Sequence, residues 1–292
     1  METSTTLGRM KLSESIIEEF IYGGHWLSLG ASSVALSTIL LFNLLPIKWE
    51  FLLIVYFGTQ CIYNYNHYKD INIDYFTNPE RVNHLYKYHK YGKIIISIYG
   101  LSYFIVLFIF GTVQSIIFGT ALIGLGVIFS LKIIDALKKM VGAKLIYTSF
   151  SWSLLIPFTM IYHSQFLNYS ILIFTLFVFL RIIITTTFFD IKDAILDRKR
   201  GITTVPVVLG RKKSLTFLQL VNLISIMPII LAVFIHMLPL YSFPLTLLFF
   251  YSFFYIQKAR DTNVEITNLS YVIVDGEFYY WPILILLLYF IN

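Results

Sequence analysis

The 292-residue chain is 58% hydrophobic and 18% aromatic but only 13% charged, about half the charged share of an ordinary soluble domain. A soluble fold of this length cannot bury that much apolar surface, so the solvent for most of it must be lipid. The net charge of +6 invites a nucleic-acid reading, but the basic residues sit in short segments between long apolar runs, which is the pattern of membrane topology and excludes nucleic acid as the partner.

The chain opens with a polar stretch holding Arg9, Lys11, Glu14, Glu18 and Glu19. It has no apolar core ending in small residues, so it is not a cleaved signal peptide; residues 1–22 read as a cytoplasmic lead-in. A membrane-crossing helix needs roughly 20 mostly apolar residues, and nine such spans are predicted. The first covers 26–47 and the second 51–66, turning polar at its end. The run 94–131 carries no charge until its end and is long enough for two spans hinged at 111–115. The run 145–180 splits at 163–168, giving a fifth span at 145–162 and a sixth at 169–189. The run 214–257 forms two more, hinged at 236–239, and the last span is 271–291. The lone cysteine, Cys61, lies inside an apolar stretch and reads as a packed thiol; it allows no intrachain disulfide.

With the N-terminus inside, the inner segments are the lead-in and the loops near 67–93, 132–144, 190–213 and 257–270. They hold 20 of the 22 Lys and Arg residues; the exceptions are Lys48, in a short outer turn, and Arg181, within a span. This is a strong positive-inside signal. It implies a multi-pass protein of the cell inner membrane, with the long charged loops, and hence the chemistry, on the cytoplasmic face.

Two of these loops carry acidic clusters. Asn66, Asp70 and Asp74 are spaced by four, and Asp190, Asp193 and Asp197 at i, i+3 and i+7, so each set occupies one face if the preceding span continues as a helix. Like charges at that spacing repel, and a bound cation relieves the repulsion. Mg²⁺ suits such sites: it takes hard oxygen ligands and is held by one or two carboxylates together with substrate phosphates. Two facing clusters are suited to gripping a diphosphate. The single cysteine leaves no thiolate–imidazole cluster for zinc. A lone Asp at a helix end is usually solvated or a cap; two triads beside membrane spans point to function.

The second cluster and its continuation, Asp190-Ile-Lys-Asp193-Ala-Ile-Leu-Asp197-Arg-Lys-Arg-Gly201-Ile-Thr-Thr204-Val-Pro206-Val-Val-Leu-Gly210, closely resemble the second aspartate-rich motif of the UbiA superfamily of intramembrane prenyltransferases. The first cluster is similar to that family's first motif, NDxxDxxxD, with His67 where the family often has Asp; Asn78-Pro79-Glu80-Arg81 is similar to its usual continuation. The resemblance implies an all-α membrane domain over residues 1–292, nine helices in a bundle around a central cavity, with active-site loops at 67–93 and 190–213. It implies an enzyme that uses Mg²⁺ to transfer an isoprenyl group from a polyprenyl diphosphate to a lipophilic acceptor, a quinone precursor or another aromatic or lipid molecule, with membrane lipid as a further partner and quinone biosynthesis among the settings. No obligate protein partner is implied. Carried over residue by residue, the metal ligands are Asn66, Asp70, Asp74, Asp190, Asp193 and Asp197. The five aspartates are the catalytic set, and Asn66, Lys144, Arg81 and Arg198 are the candidate diphosphate contacts. The three cations also serve positive-inside topology, and His67 could contact diphosphate or deprotonate an acceptor.

Arg181, within the sixth span about two turns before Asp190, needs either a cavity or partner to face or a path to the interface. Asp275 and Glu277 open the last span and read as caps by default, with a contact to the acceptor or prenyl head as the minority reading. His25 and His163 read as interfacial. The many Phe and Tyr residues suit both a carbocation channel and plain lipid contact. The competing readings are a transporter, which would place interrupted helices at the membrane midplane, and a non-catalytic scaffold.

Overall fold

The structure is a computed structural model that describes residues 15–130, 139–264 and 266–290. The first part of the expected lead-in (1–14) and most of the expected inner loop at 132–144 lie outside the described residues. Among those residues the secondary structure is entirely helical, as a chain in lipid requires when each span must satisfy its own backbone groups.

A short helix α1 (Ser15–Tyr22) meets α2 (His25–Leu41) at a 55° bend, where Gly24 takes a positive φ of 79° that favours glycine. Next come α3 (Trp49–Asp74), the short α4 (Pro79–Tyr86), α5 (Gly92–Phe110) and α6 (Val113–Ser130), the last two parting at the expected hinge by Gly111. The next expected span is broken into α7 (Ala143–Ser153) and α8 (Leu155–Tyr162). α9 (Tyr169–Lys199) begins where the Asn168 side chain accepts from the Ile171 N–H, an N-cap. α10 (Val205–Phe234) follows, then a 3₁₀ segment (Leu240–Leu247) leading into α11 (Leu248–Lys258), and a π segment (Leu269–Val274) leading into α12 (Asp275–Tyr289).

Helix is present over every predicted run, but six helices are long and apolar enough to cross a membrane, or seven if the bent α1–α2 pair counts as one span. The count falls short of nine for physical reasons. α3 ends in Asn, His, Lys and Asp, which lowers its hydropathy, and α6 is a shorter apolar helix. α9 runs ten residues past its expected end, keeping the whole second acidic cluster helical. The helices pack side by side: α9 along α10 and α7, α3 along α5, and α2 between α3 and α12. A main core of Phe51, Phe158, Phe174, Phe177 and Trp281 and a smaller one around Phe188, Tyr255 and Ile256 hold them together.

Candidate active site

The site lies where α3, α4, α7, α9 and the start of α12 converge, and local sequence explains how each contributes. α9 stops at Gly201, whose φ of 71° closes a Schellman turn: Ile202 N–H donates to the Asp197 carbonyl at 2.9 Å and Gly201 N–H to that of Arg198 at 3.2 Å. Thr204 then stands at the N-cap of α10 with Pro206 in its first turn, and Gly210 kinks that helix at φ 75°. The Gly, Thr, Pro and Gly that trail the second cluster are therefore punctuation that ends α9 and turns α10 back along it. Gly142, at φ 76°, opens α7 and sets Lys144 in its first turn.

A pocket of about 230 Å³, polar through the charged groups set in an otherwise largely apolar wall, is lined by Asp190, Lys192 and Asp193 of α9, Lys144 of α7, Arg81 of α4, Tyr63 and His67 of α3, and Tyr271 and Asp275. Asp190 is buried and accepts from Lys144 Nζ at 2.7 Å, and the same ammonium reaches Asp197 at 3.4 Å. Asp193 pairs with Lys192 at 3.1 Å. On the opposite side Asp74 accepts from Arg81 at 2.6 Å, and the same oxygen lies 3.7 Å from His67 Nδ1. Burial opposes the charge on Arg81, but Tyr271, Asp74 and Asp193 around it outweigh that and raise its pKa. Two cations lie over the Tyr271 ring, Arg81 at 5.5 Å and Lys192 at 5.4 Å from its centroid. Asn78 accepts from both Lys192 (2.7 Å) and Tyr271 (2.5 Å), tying the two acidic regions together.

The expected site residues separate by position. Asp190, Asp193, Lys144 and Arg81 line the pocket; Asp74 and Asp197 touch it through their cations. Asn66 borders a second, apolar chamber of about 250 Å³. Asp70, half-buried on the Asn66–Asp74 face of α3, borders neither cavity. Arg198 is exposed and donates to the Val207 carbonyl at 2.8 Å, outside the pocket, because the Schellman turn carries it away. Among the described residues no three His, Cys, Asp or Glu side chains converge on one point. The six expected ligands therefore do not form a ready-made metal cluster, and Mg²⁺ held here would take its remaining ligands from water and substrate phosphate.

The two cavities share Tyr63, Thr148 and Trp152, with Trp152 Nε1 donating to Tyr63 Oη at 3.2 Å. Carboxylates and cations at one end and an apolar chamber at the other suit an amphiphile with a polyanionic head.

The sequence model of the UbiA prenyltransferase family matches residues 29–272. The chain belongs to the UbiA prenyltransferase family. It is thereby a membrane-embedded enzyme of a class that transfers prenyl groups. The fold agrees with solved UbiA structures at low identity. A UbiA homologue from Archaeoglobus fulgidus bound to GPP and Mg²⁺ is 12% identical, with a TM-score of 0.66 over 91% of this chain and 99% of the other. An apo UbiA homologue from Aeropyrum pernix K1 is 13% identical, with a TM-score of 0.66 over 89% and 95%. A digeranylgeranylglyceryl phosphate synthase is 15% identical, with a TM-score of 0.58 over 95% and 98%. No curated protein sequence matches this chain.

Within this UbiA fold, two expectations about charged residues change. Asp275 and Glu277 are not surface caps. Asp275 is 5% exposed, lines the polar pocket and has one carboxylate oxygen without a hydrogen-bond partner among the described residues. Glu277 is fully buried and pairs with Arg181 at 2.5 Å, so Arg181 has a partner and does not snorkel. Lys192 and Tyr271 are pocket residues that sequence reasoning missed, and for Asp275 the minority reading, contact with the head group, fits its place in the pocket better than capping does. A carboxylate in an apolar run was a usable signal for Asp275, and Lys192 lies inside the motif itself; nothing in the sequence marked Tyr271.

Proposed function

We propose that the protein is a Mg²⁺-dependent intramembrane prenyltransferase that moves an isoprenyl group from a polyprenyl diphosphate to a lipophilic acceptor, a quinone precursor or another aromatic or lipid molecule, and releases diphosphate. The observation that carries this reading is a pocket lined by Asp190, Asp193 and three cations, with Asp74 held on one of those cations, beside an apolar chamber that shares Tyr63, Thr148 and Trp152 with it. Asp70, Asp74 and Asn66 on one side and Asp190, Asp193 and Asp197 on the other would hold Mg²⁺. Bound there, the metal supplies Lewis-acid neutralisation of charge on a leaving diphosphate.

The chain's own groups do the rest. Lys144 and Arg81 exchange their present carboxylate partners for diphosphate oxygens, through charge-assisted hydrogen bonds. His67 stands beside Asp74, placed to contact the same head group. The apolar chamber takes the hydrocarbon and excludes water from the reacting carbon. Tyr63 and Trp152, at the neck between the cavities, present aromatic faces to the allylic cation that forms as the C–O bond breaks. The acceptor then forms its bond to that carbon and gives up a proton.

The nine-span arrangement with an inner N-terminus belongs to the same reading, supported by the Lys and Arg distribution. It places the pocket on the cytoplasmic face of the cell inner membrane. The test is binding of geranyl diphosphate to purified protein with and without Mg²⁺. Tight binding that disappears in EDTA is expected, and metal-independent or absent binding defeats the proposal.

A further inference from the structure

The apolar chamber has a definite far end. It runs down α3 from Asn66 past Tyr63, Thr59 and Gly58 to Ile54, about 18 Å at 1.5 Å per residue. Tyr103 and Phe158 line it at that end, and both are almost fully buried, at 2% and 1% exposure. Two glycines fix their rings. A Cβ on Gly58 would stand 2.9 Å from Tyr103 Cε2, and one on Gly119 would stand 2.7 Å from Tyr103 Oη and 2.9 Å from Phe158 Cζ. Phe158 is further packed edge-on by Phe51, at 5.1 Å between centroids, and stacked by Phe118, at 5.8 Å. Rings seated this closely make a wall that cannot swing aside without cost, because interiors are packed to crystal density. The Tyr103 hydroxyl has no hydrogen-bond partner among the described residues, so its place at the end of an apolar space is not explained by polar bonding.

We propose that Tyr103 and Phe158 close this chamber and set the upper length of the prenyl donor at about three isoprene units. The inference rests on the donor reading above: the chamber adjoins the pocket and shares Tyr63, Thr148 and Trp152 with it, so a chain anchored by its diphosphate has its hydrocarbon beside the chamber. Each isoprene unit adds four chain bonds of about 1.5 Å, which advance an extended chain by roughly 5 Å; three units fit within that span and a fourth overruns it to meet the rings.

The experiment measures Mg²⁺-dependent binding of dimethylallyl, geranyl, farnesyl and geranylgeranyl diphosphates to the full chain in detergent or nanodiscs. In the wild type, affinity rises with length to farnesyl and is about tenfold weaker for geranylgeranyl. Phe158→Ala moves the optimum up by one unit. Ile123→Trp moves it down by at least one unit, because Ile123 lines the chamber opposite Gly58. If Phe158→Ala does not fold, the wild-type profile and Ile123→Trp still decide. Geranylgeranyl binding as tight as farnesyl, or one unchanged length profile in all variants, overturns the length limit while leaving the donor reading intact. Failure of every diphosphate to bind in a Mg²⁺-dependent way overturns the donor reading, and the length limit with it.

Discussion

α9 carries two buried charge clusters about 14 Å apart along its axis, around Arg181 and around Asp190, and they are finished differently. Arg181 donates to Glu277 (2.8 Å), Asn222 (2.7 Å), Ser225 (3.3 Å), the Leu248 carbonyl (3.4 Å) and Ser252. Glu277 in turn accepts from Ser252 at 2.8 Å. The guanidinium is enclosed by α9, α10, α11 and α12, at 0% exposure. The Asp190 cluster lines a cavity, is joined to its partners by single ammonium groups, and has the incompletely partnered Asp275 beside it. A closed, fully bonded set of charges holds helices together. A set with open ligand positions facing a cavity is arranged to receive something, and that difference distinguishes scaffold from site on one helix.

The sharpest break in this comparison comes from Asp193→Ala. Asp193 is partly exposed and, among the described residues, its ion pair is with its sequence neighbour Lys192, so its loss has little effect on folding. Turnover is expected to fall by at least about 10²–10³-fold, the scale seen when a charge-stabilising group is removed. Retained turnover alongside unchanged membrane insertion removes the metal assignment of the second cluster.

Arg181→Met tests the other pole. Removing one partner of a buried pair leaves Glu277 uncompensated and is expected to lower stability by about 3–5 kcal/mol, measured by thermal unfolding in detergent. Arg181→Met with Glu277→Leu replaces the pair by apolar volume and is expected to recover most of that loss. A double variant as unstable as the single one shows that the network has a role beyond its own pairing.

Lys144→Ala is intermediate, because Lys144 belongs to the receptive cluster but is one of several cations. Losing one charged hydrogen bond, worth about 1.5–3 kcal/mol, predicts donor affinity weaker by roughly 10- to 100-fold. Unchanged affinity assigns Lys144 to holding Asp190 and Asp197 in place.

What the sequence made legible follows from which forces act locally. The apolar runs, the hinge at Gly111 and the break near His163 are local signals, and helices lie where they fall. Asp190, Asp193 and Lys144 reach the pocket because helical periodicity and the glycine stops at Gly142 and Gly201 are encoded next to them. Glu277 was misjudged because its partner is 96 residues away, and a residue that opens a span looks like a cap until the neighbouring helix is in place. Tyr271 belongs to the pocket only because a π segment turns it towards Asn78, Arg81 and Lys192, which no period-3.6 reading reveals.

Arg198 gives the smallest expected effect and the cleanest discrimination. By sequence it stands beside Asp197 and has the same claim on a diphosphate as Lys144. In the structure the chain is already turning at that point: Arg198 supplies a carbonyl to the Schellman turn, and its guanidinium folds outward onto the Val207 carbonyl, whereas Lys144 points at Asp190 inside the pocket. Arg198→Ala should therefore change stability by no more than about 0.5 kcal/mol, as for an exposed residue, and leave donor affinity and turnover at the wild-type values. Measured together with Lys144→Ala in the same binding assay, it separates charge that faces the cavity from charge that only follows the positive-inside rule. A loss for Arg198→Ala equal to that for Lys144→Ala means that the loop after α9 closes over the diphosphate when the donor binds, and the boundary drawn here between receptive and structural charge has to move outward to include it.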